Sequence, residues 1–202
     1  MNLHEYQAKQ LFSRYGIAVS QGEVATTPAQ AEAAAGRLGG KLWVVKAQVH
    51  AGGRGKGGGI KLTRSPDEVR QAADAMLGKR LVTPQTGEEG LPINQVYVEC
   101  GSDRDREIYL SMRVDRSRDR LSVIASAAGG MDIEEVAAKT PEQILTVHVH
   151  PAAGLQAYQA RGLGYGLGLN KDQVKQFVDL AGKVYRLVVD SDASLVEINP
   201  LI

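Results

Sequence analysis

Residues 42–62 read Leu42-Trp43-Val44-Val45-Lys46-Ala47-Gln48-Val49-His50-Ala51-Gly52-Gly53-Arg54-Gly55-Lys56-Gly57-Gly58-Gly59-Ile60-Lys61-Leu62. The apolar, β-branched run from Leu42 to Val49 predicts a buried strand. Residues 52–59 hold six glycines in eight positions, and Ile60–Thr63 predicts a second strand. Each glycine fixed in a fold carries ~0.5–1 kcal/mol of extra chain entropy relative to alanine, so such a segment is either left mobile or held by a ligand. Glycine lets backbone N–H groups approach phosphate oxygens, and Arg54 and Lys56 add positive charge. The letters of 53–58 fit G-x-G-x-x-G, but a dinucleotide fingerprint needs a helix to follow at once. A strand follows here. A Walker A loop is excluded because Gly57, not Ser or Thr, follows Lys56. Strand, glycine loop, strand is the pattern of a flap over phosphates. The letters alone also fit a solvent-exposed basic hairpin.

Outward from this hairpin, helix and strand signals alternate. Residues 3–15 are periodic at helical spacing. Thr27-Pro28 with Gln30, and Ser65-Pro66 with Glu68, are capping boxes that predict helices to about Leu38 and Leu77. Residues 79–93 read as an irregular loop, and Asn94–Cys100 as a strand. Glu107–Val114 and Leu121–Ala127 read as a hairpin. Helices are predicted at 132–138, 141–144, 155–167 and 171–189, the last capped by Asn170 with Val174, Phe177, Val178, Ala181, Tyr185 and Val188 on one face. Ser194–Asn199 closes the chain as a strand. The turn near Gly101 divides two lobes. The N-terminal helix fits against either lobe; we group residues 1–20 with 102–202, leaving 21–101 as the glycine-flap lobe.

Composition excludes several classes. The 202 residues carry 24 Lys and Arg against 23 Asp and Glu, which gives no electrostatic footprint for nucleic acid. A single cysteine, Cys100, excludes a disulfide scaffold and reads as a buried structural thiol. No apolar run approaches the ~20 residues of a membrane span, and the N-terminus, with Glu5, is not a signal peptide. The expectation is a cytoplasmic protein with no nucleic acid or membrane partner.

Three groups of residues can carry chemistry. Lys46 inside an apolar strand needs an anion or an outlet to water, and a phosphate on the adjacent flap would supply the anion; snorkelling at a strand end is the alternative. Glu197 and Asn199, at i and i+2 of the last strand, share a face and offer oxygens suited to Mg²⁺; a wetted amphipathic strand is the alternative. Glu99 and Glu107 stand at strand ends beside the lobe boundary, as ribose or metal partners or as solvated charges. His148 and His150 share a strand face without a third ligand.

The segments MNLHEYQAKQLFSRYGI (1–17), VVKAQVHAGGRGKGGGIKL (44–62), LGKRLVTPQT (77–86), EIYLSMRVDRS (107–117) and LVEINPL (195–201) together resemble the N-terminal part of the β subunits of succinate–CoA ligases, over essentially the whole chain. The resemblance implies a mixed α/β, α+β ATP-grasp fold, two lobes clasping a nucleotide. It implies that Lys46 binds phosphate, that Gly53, Arg54 and Gly55 form the phosphate flap, that Glu99 and Ser102 border adenine and ribose, and that Glu107 completes the nucleotide site. Asn199 would ligate Mg²⁺, and Glu197 would act where phosphate leaves for a histidine on an α subunit. The cofactors implied are Mg²⁺ and ATP, with GTP possible, since nothing around Ser20, Gln21 or Glu99–Ser102 forces guanine; CoA and succinate belong to the complete enzyme. The family's second Mg²⁺-binding Asp and its C-terminal CoA-ligase domain lie beyond Ile202, so a truncated chain lacking full turnover is expected. Two other readings are the β subunit of a malate–CoA ligase and a non-catalytic nucleotide-binding module.

Overall fold

The glycine segment is a hairpin loop. In the computed structural model, which describes residues 1–101 and 106–202, the chain begins with α1 (Glu5–Arg14), β1 (Gly22–Ala25), α2 (Pro28–Leu38) and β2 (Trp43–Ala47). The glycine loop leads to β3 (Ile60–Thr63), which pairs antiparallel with β2, placing Lys46 opposite Ile60. Then come α3 (Pro66–Met76), β4 (Arg80–Leu81), β5 (Leu91–Pro92) and β6 (Val96–Cys100). The sheet order is β1-β6-β2-β3.

Strand alternation sorts this sheet into two faces. Trp43, Val45 and Ala47 of β2, with Val96 and Val98 of β6, join Ala31, Ala34 and Ala35 of α2 and Val69, Ala73 and Met76 of α3 in one buried core. Lys46, Tyr97 and Glu99 therefore point to the opposite face. The register sets Lys46 against Tyr97 and Val44 against Glu99, so Lys46 and Glu99 are diagonal neighbours, within reach of long side chains.

The second half contains β7 (Ile108–Asp115), β8 (Arg120–Ser126), α4 (Ile133–Lys139), a 3₁₀ turn (Pro141–Gln143), β9 (Leu145–Val149), α5 (Ala157–Gly166), α6 (Lys171–Asp190) and β10 (Leu195–Leu201), in a sheet ordered β10-β7-β8-β9. Leu110, Met112, Val123, Ala125 and Val149 are buried, as are Ala160 and Leu163 of α5 and Val174, Phe177, Ala181, Val184, Leu187 and Val188 of α6. The chain forms two compact units, Met1–Ser13 with Ala18–Asp103, and Arg14–Ile17 with Arg104–Ile202. Residues 1–13 thus fall in the first unit, whereas the sequence reading grouped 1–20 with the second; side chains of α1 engage the polar face of the first sheet.

The predicted caps form. Thr27 accepts the Gln30 N–H, Ser65 the Glu68 N–H, and Asn170 both the Asp172 and Gln173 N–H groups. Three local expectations change. The stretch 79–93 contains the β4–β5 ladder, fastened by the Gly78 N–H to Ile93 O and the Ile93 N–H to Lys79 O. The helix predicted at 141–144 is only the 3₁₀ turn, and β9 follows it. On α6, Val184 and Leu187 are buried while Val178 and Tyr185 are half-buried; the packed stripe runs through Val174, Phe177, Ala181, Val184 and Val188 at helical spacing, with Val178 and Tyr185 at its margin. Cys100 is half-buried.

Candidate nucleotide site

On the polar face of the first sheet, five charged side chains meet. Lys46 Nζ lies 2.8 Å from Glu5 Oε1 and 2.5 Å from Glu99 Oε2. Arg54, from the glycine loop, places Nη2 2.7 Å from Glu5 Oε2 and donates through Nη1 to the Ala47 carbonyl at 3.0 Å. Lys9 pairs with Glu99 and stands 3.3 Å from Glu5. The Glu5, Lys46 and Glu99 side chains are 16%, 17% and 5% exposed, so these charges are weakly screened. Burial pushes the Glu5 carboxyl up, but Lys46, Arg54 and Lys9 outweigh it and hold it at about 2. Burial disfavours the Lys46 ammonium, but Glu5 and Glu99 outweigh that too and raise its pKa. Within the chain, Lys46 therefore has two carboxylate partners, Glu5 and Glu99.

The glycine loop closes on its own hydrogen bonds. The Gly57, Gly58 and Gly59 N–H groups donate to Gly53 O, Gly55 O and Arg54 O. The Gly52 N–H donates to Gln85 Oε1 at 2.7 Å. A Cβ on Gly57 would lie 2.4 Å from the Val82 carbonyl oxygen, and Gly53 has φ +71°, so glycine is needed at both. Gly53 and Gly55 thereby sit in the loop that carries Arg54. Beside α1 and β1 lies a groove of 710 Å³, lined among others by Tyr6, Lys9, Ser20, Gln21 and Tyr97.

Sequence reasoning missed Glu5 and Lys9, one helical turn apart on α1, and Gln48. Gln48 is 2% exposed; its Oε1 accepts the Tyr6 N–H at 3.3 Å and its Nε2 donates to Lys46 O at 3.2 Å. A polar residue two positions after Lys46 in an apolar run was the available signal. His4 and His50, which show no metal-ligand spacing in the sequence, meet here. The His4 ring stacks on His50, centroids 4.0 Å apart, and burial, then His50 and Arg54, lower the His4 pKa.

In the second unit, β10 pairs antiparallel with β7 and sets Glu197 opposite Ser111. Tyr109, Glu197 and Asn199 then share a face. The Tyr109 hydroxyl donates to Glu197 Oε2 at 3.4 Å. Desolvation, with the charges of Glu134 and Asp132, raises the Glu197 pKa against the opposing pull of Tyr109. Asn199 Oδ1 accepts the Gly130 N–H at 2.7 Å and its Nδ2 donates to Met131 O at 3.0 Å. The Gly129 N–H donates to Glu107 O at 3.1 Å. Glu107, Glu197 and Asn199 are thus gathered by one sheet edge and the 129–131 turn. Asn199 Oδ1 keeps a second lone pair beside its Gly130 bond, so the donor set fits a hard cation that fills its other positions with water and phosphate oxygens. Among the described residues no group of three or more His, Cys, Asp or Glu is placed to bind a metal. Ser102 lies outside the described residues.

A match to the ATP-grasp domain family runs over residues 2–202, and the chain belongs to that family. It is 55% identical over all 202 residues to the succinate–CoA ligase [ADP-forming] subunit beta of a Nitratiruptor species, and 58% identical to that of Halorhodospira halophila. Each match covers 52% of the relative, so the chain spans about half the length of the curated relatives it matches. Among solved structures, the dinucleotide-forming acetyl-coenzyme A synthetase 1 of Ca. Korarchaeum cryptofilum superposes with a TM-score of 0.75 at 20% identity, over 100% of this chain and 86% of that one. The ATP citrate lyase of Methanothrix soehngenii gives 0.75 at 18% identity, over 98% and 46%. These two likenesses show the fold. No helix among the described residues is long and apolar enough to cross a membrane.

Proposed function

We propose that this chain is the nucleotide-binding part of the β subunit of an ADP-forming succinate–CoA ligase. The observation that carries the reading is the convergence of Lys46 and Arg54 on one anionic group beside a hydrogen-bonded glycine loop, in a chain 55–58% identical throughout to such subunits.

In this reading Lys46, Arg54 and the Gly53 and Gly55 backbone hold the phosphates of ATP, with charge-assisted hydrogen bonds as the main attraction. Glu99 and Ser102 border the adenine and ribose, and Glu107 completes the nucleotide site; the residues around Ser20 and Gln21 and around Glu99–Ser102 are where ATP is told from GTP. Asn199 supplies an oxygen to Mg²⁺, which when bound neutralises phosphate charge and orients the transferring group. Glu197 holds negative charge at the point where the phosphoryl group leaves. The β–γ P–O bond breaks, a P–N bond forms to a histidine of an α subunit, and ADP remains. The protein's work is positioning and electrostatics. Succinate, CoA and the α subunit are partners of the whole enzyme, in the bacterial cytoplasm.

Calorimetric titration with Mg-ATP and Mg-GTP tests this, with Lys46→Ala as control and circular dichroism confirming the fold. Saturable binding lost in the variant supports the reading; no binding by a folded chain overturns it. The succinate part is tested by adding an α subunit with the remaining β sequence and measuring phosphohistidine and succinyl-CoA.

A further inference from the structure

Glu5 meets Lys46 and Arg54 in the way an anionic ligand would. Its two oxygens are divided between them, Oε1 at 2.8 Å from Lys46 Nζ and Oε2 at 2.7 Å from Arg54 Nη2. A phosphate group presents the same arrangement, two oxygens of one anion on two cations. Glu5 does not belong to the hairpin that carries the cations. It comes from the first turn of α1, 41 positions from Lys46 and 49 from Arg54. Glu99 already gives Lys46 a carboxylate partner, and Arg54 is also bonded to the Ala47 carbonyl. Neither cation needs Glu5 as its sole partner.

The charges around the site are Lys9, Lys46 and Arg54 against Glu5 and Glu99, which leaves one net positive charge. Without Glu5 there would be two. Glu5 also has somewhere to go: Lys9, one helical turn along α1, stands 3.3 Å away, so a displaced carboxylate keeps a cationic partner.

We propose that Glu5 is an affinity-determining residue of the phosphate site, an internal carboxylate that occupies Lys46 and Arg54 until a polyphosphate displaces it. The inference rests on the nucleotide reading above and adds a competitor to it. Nucleotide affinity is then the difference between what the two cations give a phosphate and what they already give Glu5. The competing role, a fixed staple that orients Lys46 for the nucleotide, gives the opposite sign on removal.

The test titrates the 202-residue chain, Glu5→Gln and Lys46→Ala with inorganic tripolyphosphate and with Mg-ATP, each checked for fold by circular dichroism. Tripolyphosphate carries no base or ribose and so reads the cation site alone. The expected result is that Glu5→Gln binds both anions about three- to tenfold more tightly than the parent, the range of one net hydrogen bond, and that Lys46→Ala binds neither. Should Glu5→Gln fail to fold, Glu5→Asp keeps the charge but is one methylene too short to bridge both cations, and tightens binding in the same direction. Equal or weaker binding by the folded variant, with the parent still binding, overturns the competitor role and leaves the nucleotide reading intact. Absence of binding by both parent and variant overturns the two together.

Discussion

The Tyr109 hydroxyl of β7 donates to Glu197 Oε2 of β10 across the edge of the second sheet. Burial, opposed by a hydrogen bond with Ser111 and helped by the charge of Glu197, pushes the Tyr109 phenol up to about 12, so the hydroxyl keeps its proton and its hydrogen-bond donor role toward Glu197. On its side of the contact, the hydroxyl restrains a carboxyl that desolvation and the Glu134 and Asp132 charges push up.

Tyr109→Phe is therefore expected to raise the Glu197 pKa further. Side-chain carboxyl NMR titration of parent and variant reads this directly; a pKa that falls refutes the assignment. Stability should drop by about 1 kcal/mol, the net worth of one hydrogen bond.

Glu5 gives the first unit an acid limit. Its folded pKa of about 2 lies below the ordinary 4.5. Stabilisation from a depressed carboxyl is fully present above pH 4.5 and is lost as pH falls from there toward 2. The shift corresponds to about 3 kcal/mol. Urea unfolding between about pH 2.5 and 6 should show a steep acid limb in the parent and a shallower one in Glu5→Gln, which is also less stable at neutral pH. Parallel limbs would contradict the linkage.

The glycine loop separates two reasons for glycine. At Gly57 an added Cβ meets the Val82 carbonyl oxygen at 2.4 Å, whereas at Gly58 it meets nothing within 4 Å and only φ +78° is at issue. Gly57→Ala should lower stability by about 1–3 kcal/mol through overpacking and lift the loop from residues 81–85. Gly58→Ala should cost about 1 kcal/mol from backbone strain alone. Thermal unfolding ranks the two, and hydrogen exchange at Gly52 and Gly59 should quicken in the Gly57 variant.

A second glycine pair tests the other unit. Gly129→Ala would bring Cβ to 2.4 Å from the Glu107 backbone, while Gly182, on the exposed side of α6, has open space around it. The first substitution should destabilise by about 1–3 kcal/mol. The second should stabilise by about 0.5–1 kcal/mol through helix propensity and reduced unfolded-chain entropy. Thermal unfolding of the two variants beside the parent checks both signs.

Much of the fold was legible because its signals are local. Thr27, Ser65 and Asn170 cap helices through hydrogen bonds that span two or three residues. Gly52–Gly59 between two apolar runs read as a hairpin loop, and β2 and β3 pair around it. The β4–β5 ladder was not legible, since two residues per strand carry no periodicity and the pairing is fastened by Gly78, Lys79 and Ile93. Of the candidate site, Lys46, Arg54 and Glu99 were marked by a charge in or beside an apolar strand or glycine loop, and the structure joins them.

By itself, then, the sequence determined where the capped helices α2, α3 and α6 begin, that a glycine hairpin carries Arg54, and that Glu197 and Asn199 share a strand face. Each follows from backbone geometry within a few residues. Only the tertiary structure decided the partner of Lys46. Glu5 is 41 positions away, on a helix whose periodicity fits many packings, and Lys9 reaches Glu99 across 90. A charge shows in a sequence; the opposite charge that satisfies it is chosen by which elements the buried core brings to the same face.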